Sequence, residues 1–294
     1  MNKPKLSTPS PRPFAMRKAA AAIVITALLL TACGKAAPAG TAQDTASKPE
    51  QNAHAGHGAA PAPKEADVKA AFTFSPDKPQ AGKDTLISLQ VTDSANKPVE
   101  KFDINHEKTM HLIIVSKDLS YFNHIHPDYK EKGLFTIANP FPAGGDYKLF
   151  ADFVPSGESG TTKSQWTTIQ GDAAKPAAIQ PDGNLTKTVD GKEISLAFDK
   201  LQAGKEVNLT FNIKDGGTKK PITNLQQYLG AVGHVVILSE DAEQYLHVHP
   251  TEEKATGPDA KFMTTFPKSG IYKIWGQFQH EGKVFTVPFV VKVP

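Results

Sequence analysis

Two kinds of hydrophobic pattern run along this chain. Near its start, AAAAIVITALLL (residues 19–30) is a nearly continuous apolar run. From about residue 67 onward, apolar positions alternate with polar ones instead. LISLQV (86–91) and VNLTFNI (207–213) alternate with period 2, the mark of a strand with one buried face. Beyond the leader no stretch sustains the helical period of about 3.6 residues. The pattern predicts an all-β protein.

The alternating segments occur twice. QAGK stands at Gln80–Lys83 and again at Gln202–Lys205, each time just before one of those strands. FPAGGDYKLFADF (141–153) is matched by FPKSGIYKIWGQF (266–278), and DAAKPAAIQPDGN (172–184) reads as a linker between the copies. Each copy spans roughly 105 residues, the usual size of one β-sandwich domain. In both, a Gly-x-Tyr element (Gly145 to Tyr147, Gly270 to Tyr272) opens a strand. That element resembles the tyrosine corner of immunoglobulin-like sandwiches, where the hydroxyl bonds back to the upstream backbone. Leu149 and Ile274 stand where an antibody domain has its second cysteine. The expectation is a tandem of immunoglobulin-like β-sandwich domains, at residues 67–171 and 187–294, joined by a linker at 172–186.

The N-terminal segment sets the expected compartment. Lys3, Lys5, Arg12, Arg17 and Lys18 precede the apolar run, which is short for a membrane span and suited to a signal peptide. The run ends in LTAC, which resembles the bacterial lipobox, so Cys33 is the expected lipidation site and residues 1–32 a lipoprotein signal peptide. Gly34 after the cysteine suggests the outer membrane of a Gram-negative cell, facing the periplasm. Residues 33–66 are rich in Ala, Pro, Gly and Lys and read as a flexible tether, in which His54 and His57 are expected to be solvated.

Loss of the leader changes the charge. Five of the 33 basic residues leave with it, so 28 face 30 acidic ones. A nucleic-acid partner needs a basic surface, and none is expected. Cys33 is the single cysteine, which excludes disulfides, iron–sulfur clusters, blue copper and Cys-zinc sites in the folded domains.

The remaining candidate chemistry is histidine. HIHPD (124–128) recurs as HVHPT (247–251), and in both copies another histidine lies thirteen residues before the first of the pair. The sets are His111, His124, His126 and His234, His247, His249. HLIIVS (111–116) and YFNHIH (121–126) are strand-like, and a tight turn at Asp118-Leu119 would place His111 opposite His126, with His124 on the same face. A turn at Asp241-Ala242 does the same for His234 and His249. Opposite side chains in such a hairpin are about 5 Å apart, close enough to share an ion. Ile113, Val115 and Phe122 occupy that face too, so the histidines also suit hydrogen-bonded positions beside a core. Imidazole favours copper, with zinc also suited. Met110, His106 and Asp152 are further candidate ligands in the first copy, where Glu107 also lies close. The second copy has Gly233, Leu229 and Gln277 in place of those three, so the first site is expected to be the richer.

HLIIVSKDLSYFNHIHPDY followed by FPAGGDYKLFADF resembles the YtkA-like family of secreted and lipid-anchored β-sandwich proteins, which are akin to periplasmic copper-handling domains. The resemblance implies a non-catalytic envelope lipoprotein that binds or delivers a transition metal, held to the membrane by its lipid. Another envelope metal-handling protein would be its partner. Two other classes remain open. One is a metal-independent interaction or adaptor protein. The other is a cupin-like metalloenzyme using Glu131 or Glu253 after the HxH pair, although the preceding glycine and the later histidine of that motif are absent.

Overall fold

The alternating runs become antiparallel strands that form two pairs of sheets, one pair per repeat. The computed structural model describes residues 66–246 and 248–294, with the backbone alone at His249. The expected leader, Cys33, and the tether with His54 and His57 lie outside the described residues.

The first domain contains β1 (Val68–Ser75), β2 (Leu86–Asp93), β3 (Phe102–Asp103), β4 (Met110–Ser116), β5 (Phe122–Ile125), β6 (Asp128–Tyr129), β7 (Leu134–Ala138), β8 (Gly145–Pro155) and β9 (Thr161–Ile169). One sheet has the order β1-β2-β7-β6; the other runs β3-β8-β4-β5, with β9 also on β8. The second domain contains β10 (Thr186–Val189), β11 (Lys192–Phe198), β12 (Glu206–Asp215), β13 (His234–Ser239), β14 (Tyr245–Leu246), β15 (His249–Pro250), β16 (Asp259–Thr265), β17 (Gly270–His280) and β18 (Lys283–Val293). Its sheets are β10-β11-β12-β16-β15 and β14-β13-β17-β18. The chain is all-β, a tandem of immunoglobulin-like sandwiches, and no helix occurs among the described residues.

The two-residue alternation decides which face points inward. In β2 the fully buried positions are Ile87, Leu89 and Val91, packed with Phe72, Phe135 and Phe153. In β12 they are Val207, Leu209, Phe211 and Ile213, packed with Phe262 and Phe289. Burying one such side chain is worth about 1.5–3 kcal/mol, so a one-residue slip of either strand would cost several of these at once. Each strand is entered through QAGK, whose Gly82 and Gly204 both adopt φ +69°. That left-handed turn is open to glycine without steric cost.

Both tyrosine corners form. Tyr147 donates its hydroxyl to the Ala143 carbonyl (3.0 Å), and Tyr272 donates to Lys268 (2.9 Å). Leu149 and Ile274, two residues on, are fully buried in the apolar cores. The segment between the repeats is tied down on both sides. Ala177 N–H donates to the Asp118 carboxylate at 2.9 Å, Ile179 packs on apolar residues of both domains, and Asp182 exchanges two hydrogen bonds with the Val290 backbone.

One strand departs from simple alternation. Residues 110–115 of β4 are buried at every position. Leu112 and Ile114 enter their own core, whereas Ile113 and Val115 enter a cluster built jointly with Val236, Leu238, Ala242 and Trp275 of the second domain. The outer faces of β4 and β13 are thus packed together.

Candidate metal centre

The two domains meet through matching residues. Leu119 and Phe150 of the first join Val236 and Leu238 of the second in the shared cluster. Phe122 stacks on Trp275 with centroids 4.7 Å apart, and Phe150 stacks on Tyr245 at 5.5 Å. Lys148 donates to the Ala242 carbonyl at 2.9 Å, and its counterpart Lys273 donates to Leu119 at 2.7 Å. These reciprocal contacts are those of a two-fold pair, made within one chain. Ala242 and Leu119 occupy the tight turns anticipated from the sequence, with φ +57° and +55°.

The histidines lie at one end of this junction. In the first hairpin Leu112 pairs with Ile125 and Ile113 with His124, the register that sets His111 opposite His126. Their rings are 5.0 Å apart, and His124 is 4.8 Å from His126. In the second hairpin Ile237 pairs with Leu246, again in the expected register. That hairpin is shorter, and the chain crosses to the other sheet by His249, which pairs with Met263 of β16. The expected backbone pairing of His234 with His249 is therefore replaced. His247 lies outside the described residues.

The larger departure from expectation concerns how the histidines group. His234 joins the first hairpin's set: its ring stacks on His111 at 5.4 Å and lies 4.8 Å from His124. One nitrogen each from His111, His124 and His234 fall within 4.8 Å of one another. Among the described residues the group is drawn from both domains, while the His247 and His249 side chains of the expected second triad lie outside what is described. Docking of the two domains brings His234 beside His111 and His124.

Hydrogen bonds define where the ring protons sit. His111 Nε2 is 3.0 Å from the Asn105 carbonyl, which can only accept, so this nitrogen carries the proton. His124 Nδ1 is 2.6 Å from Gln277 Oε1, an acceptor, so in this amide orientation it donates. The remaining pair, His111 Nδ1 and His124 Nε2, are 3.0 Å apart. In neutral rings both present a lone pair. Two nitrogens in adjacent positions on an ion, each bonded at about 2.1 Å, are separated by about 3.0 Å at a right angle.

Burial favours the neutral form of His124 and His126. Burial, with the nearby His111, lowers the pKa of His124 to about 3, against the opposing Gln277 hydrogen bond. Burial, then His111 and Lys108, lowers His126 to about 4. Neutral imidazole is the form that ligates a metal.

The other sequence candidates separate. His106 is brought in, its ring 5.3 Å from His234 and 6.2 Å from His111. It sits with Glu107 in a two-residue turn, at φ +47° and +64°, closed by reciprocal Asn105 and Lys108 backbone bonds. Such turns favour Asn-Gly, and a non-glycine residue there costs about 1–3 kcal/mol. Asp152 pairs with His111 in β8, is buried, and accepts a hydrogen bond from Tyr245 at 3.2 Å. Met110 requires a correction. Its side chain is fully buried in the first domain's own core, on the face of β4 opposite His111, because successive strand residues point to opposite faces. Its thioether is not part of the histidine group. Glu131, the carboxylate of the cupin-like alternative, occupies an exposed turn between β6 and β7 at φ +86°.

Sequence reasoning missed the supporting residues. Gln277 stood out only as the replacement for Asp152, and its bond to His124 crosses between domains. Asn105 acts through a backbone carbonyl, which leaves no trace in residue identity.

The sequence model of one family, described as a domain of unknown function (DUF8832), matches residues 64–170 and again 187–294. No curated protein matches the chain. Among solved structures, it is similar at 14% identity to FdeC, an Escherichia coli adhesin (TM-score 0.27), covering 80% of this chain and 66% of that one. It is also similar at 14% identity to invasin, a bacterial integrin-binding protein (TM-score 0.23), over 76% of this chain and 39% of that one. A two-domain fibronectin type III segment of chicken tenascin is 15% identical with TM-score 0.21, over 77% and 98% of the two chains. The chain thus spans less than two thirds of the first two.

Proposed function

The chain belongs to the DUF8832 family, one copy in each half, and we propose that this two-copy member binds one transition-metal ion between its domains. Copper is the first candidate because Cu²⁺ heads the affinity order for nitrogen ligands, with zinc next. The role is non-catalytic binding or delivery, at the cell envelope, by a protein anchored through lipid on Cys33. The observation that carries this reading is the pair of facing nitrogens, His111 Nδ1 and His124 Nε2, with a His234 nitrogen alongside. His111 and His124 would supply two ligands and His234 a third; His106 and Asp152 line the same space. The ion would sit between these two nitrogens and bond to both.

A metal-independent interaction or adaptor protein is the second reading, and one observation favours it. Gln277 Nε2 bonds the Thr286 hydroxyl at 3.2 Å, and a hydroxyl can donate or accept. With that amide turned over, it would donate to His124, and His124 would donate to His111. The cluster would then be satisfied without an ion and would serve to join the domains.

Isothermal calorimetry with Cu²⁺ and Zn²⁺ on metal-stripped protein separates the two readings. The metal reading expects one ion per chain, lost in His124→Ala. Heats equal to buffer dilution for both ions would overturn it, and capture of a protein partner unaffected by chelation would support the adaptor.

A further inference from the structure

Building on the metal reading, we infer that the ion is exchanged through a cleft between the domains, with His126 as the outer histidine of the path. The centre has two unlike sides. On one, His111, His234, His106 and Asp152 border a small cavity of about 10 Å³, room for about one ion or water. On the other, a wide cleft of about 540 Å³ reaches His124 and His126 from solvent. Its walls come from both repeats: Glu107, Lys108 and Ile137 from the first, Gln227, Tyr228 and Gln279 from the second.

His126 stands between these two sides. Its ring is within 5.0 Å of His111 and 4.8 Å of His124, yet it lies one step outside the tight group of three nitrogens. Its Nε2 is buried without any hydrogen-bond partner. A buried polar atom left unpaired costs about 1–3 kcal/mol, so an orphan at the mouth of a ligand cluster calls for an occupant. An ion bonded there is already partly dehydrated and can move inward by exchanging one imidazole for the next. Structural zinc sites are closed by four protein ligands, whereas a site with an open position can accept a ligand from outside. The geometry here is of the second kind, suited to taking an ion from, or giving it to, a small chelator or a ligand-bearing peptide that enters the cleft.

Stopped-flow exchange on the full two-domain chain tests this, with Zn²⁺ loading and removal by excess EDTA as the probe. Gln227→Trp, at an exposed rim position, narrows the cleft without touching the ligands. It is expected to slow loading and removal alike by about tenfold, leaving affinity unchanged. Gln279→Trp tests the same rim from β17 if the first variant fails to fold. His126→Ala is expected to slow loading by about tenfold while the stoichiometry stays at one ion per chain. Wild-type rates in the tryptophan variants together with His126→Ala would overturn the port. Absence of Zn²⁺ and Cu²⁺ binding in wild type would instead overturn the metal reading and the port with it.

Discussion

His111 and His234 lie face to face across the domain boundary, ring centroids 5.4 Å apart and planes 9° from parallel. They occupy the same place in their respective repeats, as do Lys148 and Lys273, whose bonds to opposite turns mirror each other. The two repeats thus form an internal pair, and these histidines meet where its two halves converge. The pairing is broken where it matters chemically. Asp152 of the first repeat corresponds to Gln277 of the second, and His106 to Leu229, so the two halves place different groups around these histidines.

The stoichiometry follows from that arrangement. We expect one Cu²⁺ or Zn²⁺ per chain, and His234→Ala to weaken binding as severely as His124→Ala, although they belong to different domains. Calorimetry on the two variants checks this. Two ions per chain, one lost with each variant, would restore independent sites.

Gln277 should act on the ion through His124. Replacing it by Leu removes the acceptor for His124 Nδ1–H and frees the ring to change tautomer. Loss of such a supporting bond usually lowers metal affinity about 10- to 100-fold. Gln277→Glu, which can only accept, should retain binding; competition against a colorimetric chelator measures both. Equal affinity in Gln277→Leu and wild type would show that His124 is not held by this bond.

Acid should destabilise the apo-protein in a defined window. An unfolded histidine titrates near 6.5, whereas burial lowers His124 to about 3 and His126 to about 4. Between those limits the unfolded chain binds protons that the folded chain refuses, so stability is complete above about pH 6.5 and declines as pH falls. Each unit of difference corresponds to about 1.4 kcal/mol. Urea unfolding at about pH 7.5 and about pH 5 should show this slope, and His124→Asn should flatten it. An unchanged slope in that variant would assign the acid sensitivity to other groups.

The docking lysines should influence an ion they never touch. Lys148 is buried and bonds both Ala242 and the Glu243 carboxylate, the latter at 2.8 Å. Lys148→Met or Lys273→Met keeps the aliphatic packing but strips a carbonyl of its donor, a loss of about 1.5–3 kcal/mol for a bond to a charged group. We expect lower stability and weaker ion binding together, read by thermal unfolding and calorimetry. Weakened stability with unaltered affinity would separate docking from the centre.

Anchoring is tested at Cys33. Cys33→Ser should release the protein from membranes or leave its leader uncleaved, as fractionation and mass spectrometry would show. A membrane-bound, normally processed variant would remove the lipid from the account.

Much of this protein is local and therefore visible in the chain itself. Period-2 alternation reports a strand's two faces, so β2 and β12 could be placed from LISLQV and VNLTFNI. A hairpin's register depends only on its turn and spacing, so Ile113 opposite His124 was readable from the thirteen-residue interval. The tyrosine corners depend on a carbonyl four residues upstream, and they too were legible. What Ile113 and Val115 pack against was not. An apolar position looks the same whether it enters its own core or a neighbouring domain, because burial is rewarded by area without regard to partner. The joining of His234 to His111 and His124 depends on how two sandwiches with separate cores dock, as does Gln277's reach to His124. Such contacts leave no periodicity, since they link residues more than a hundred positions apart through shape alone. The sequence determined two like sandwiches and their histidine hairpins; the tertiary structure decided that His234 of the second joins His111 and His124 of the first.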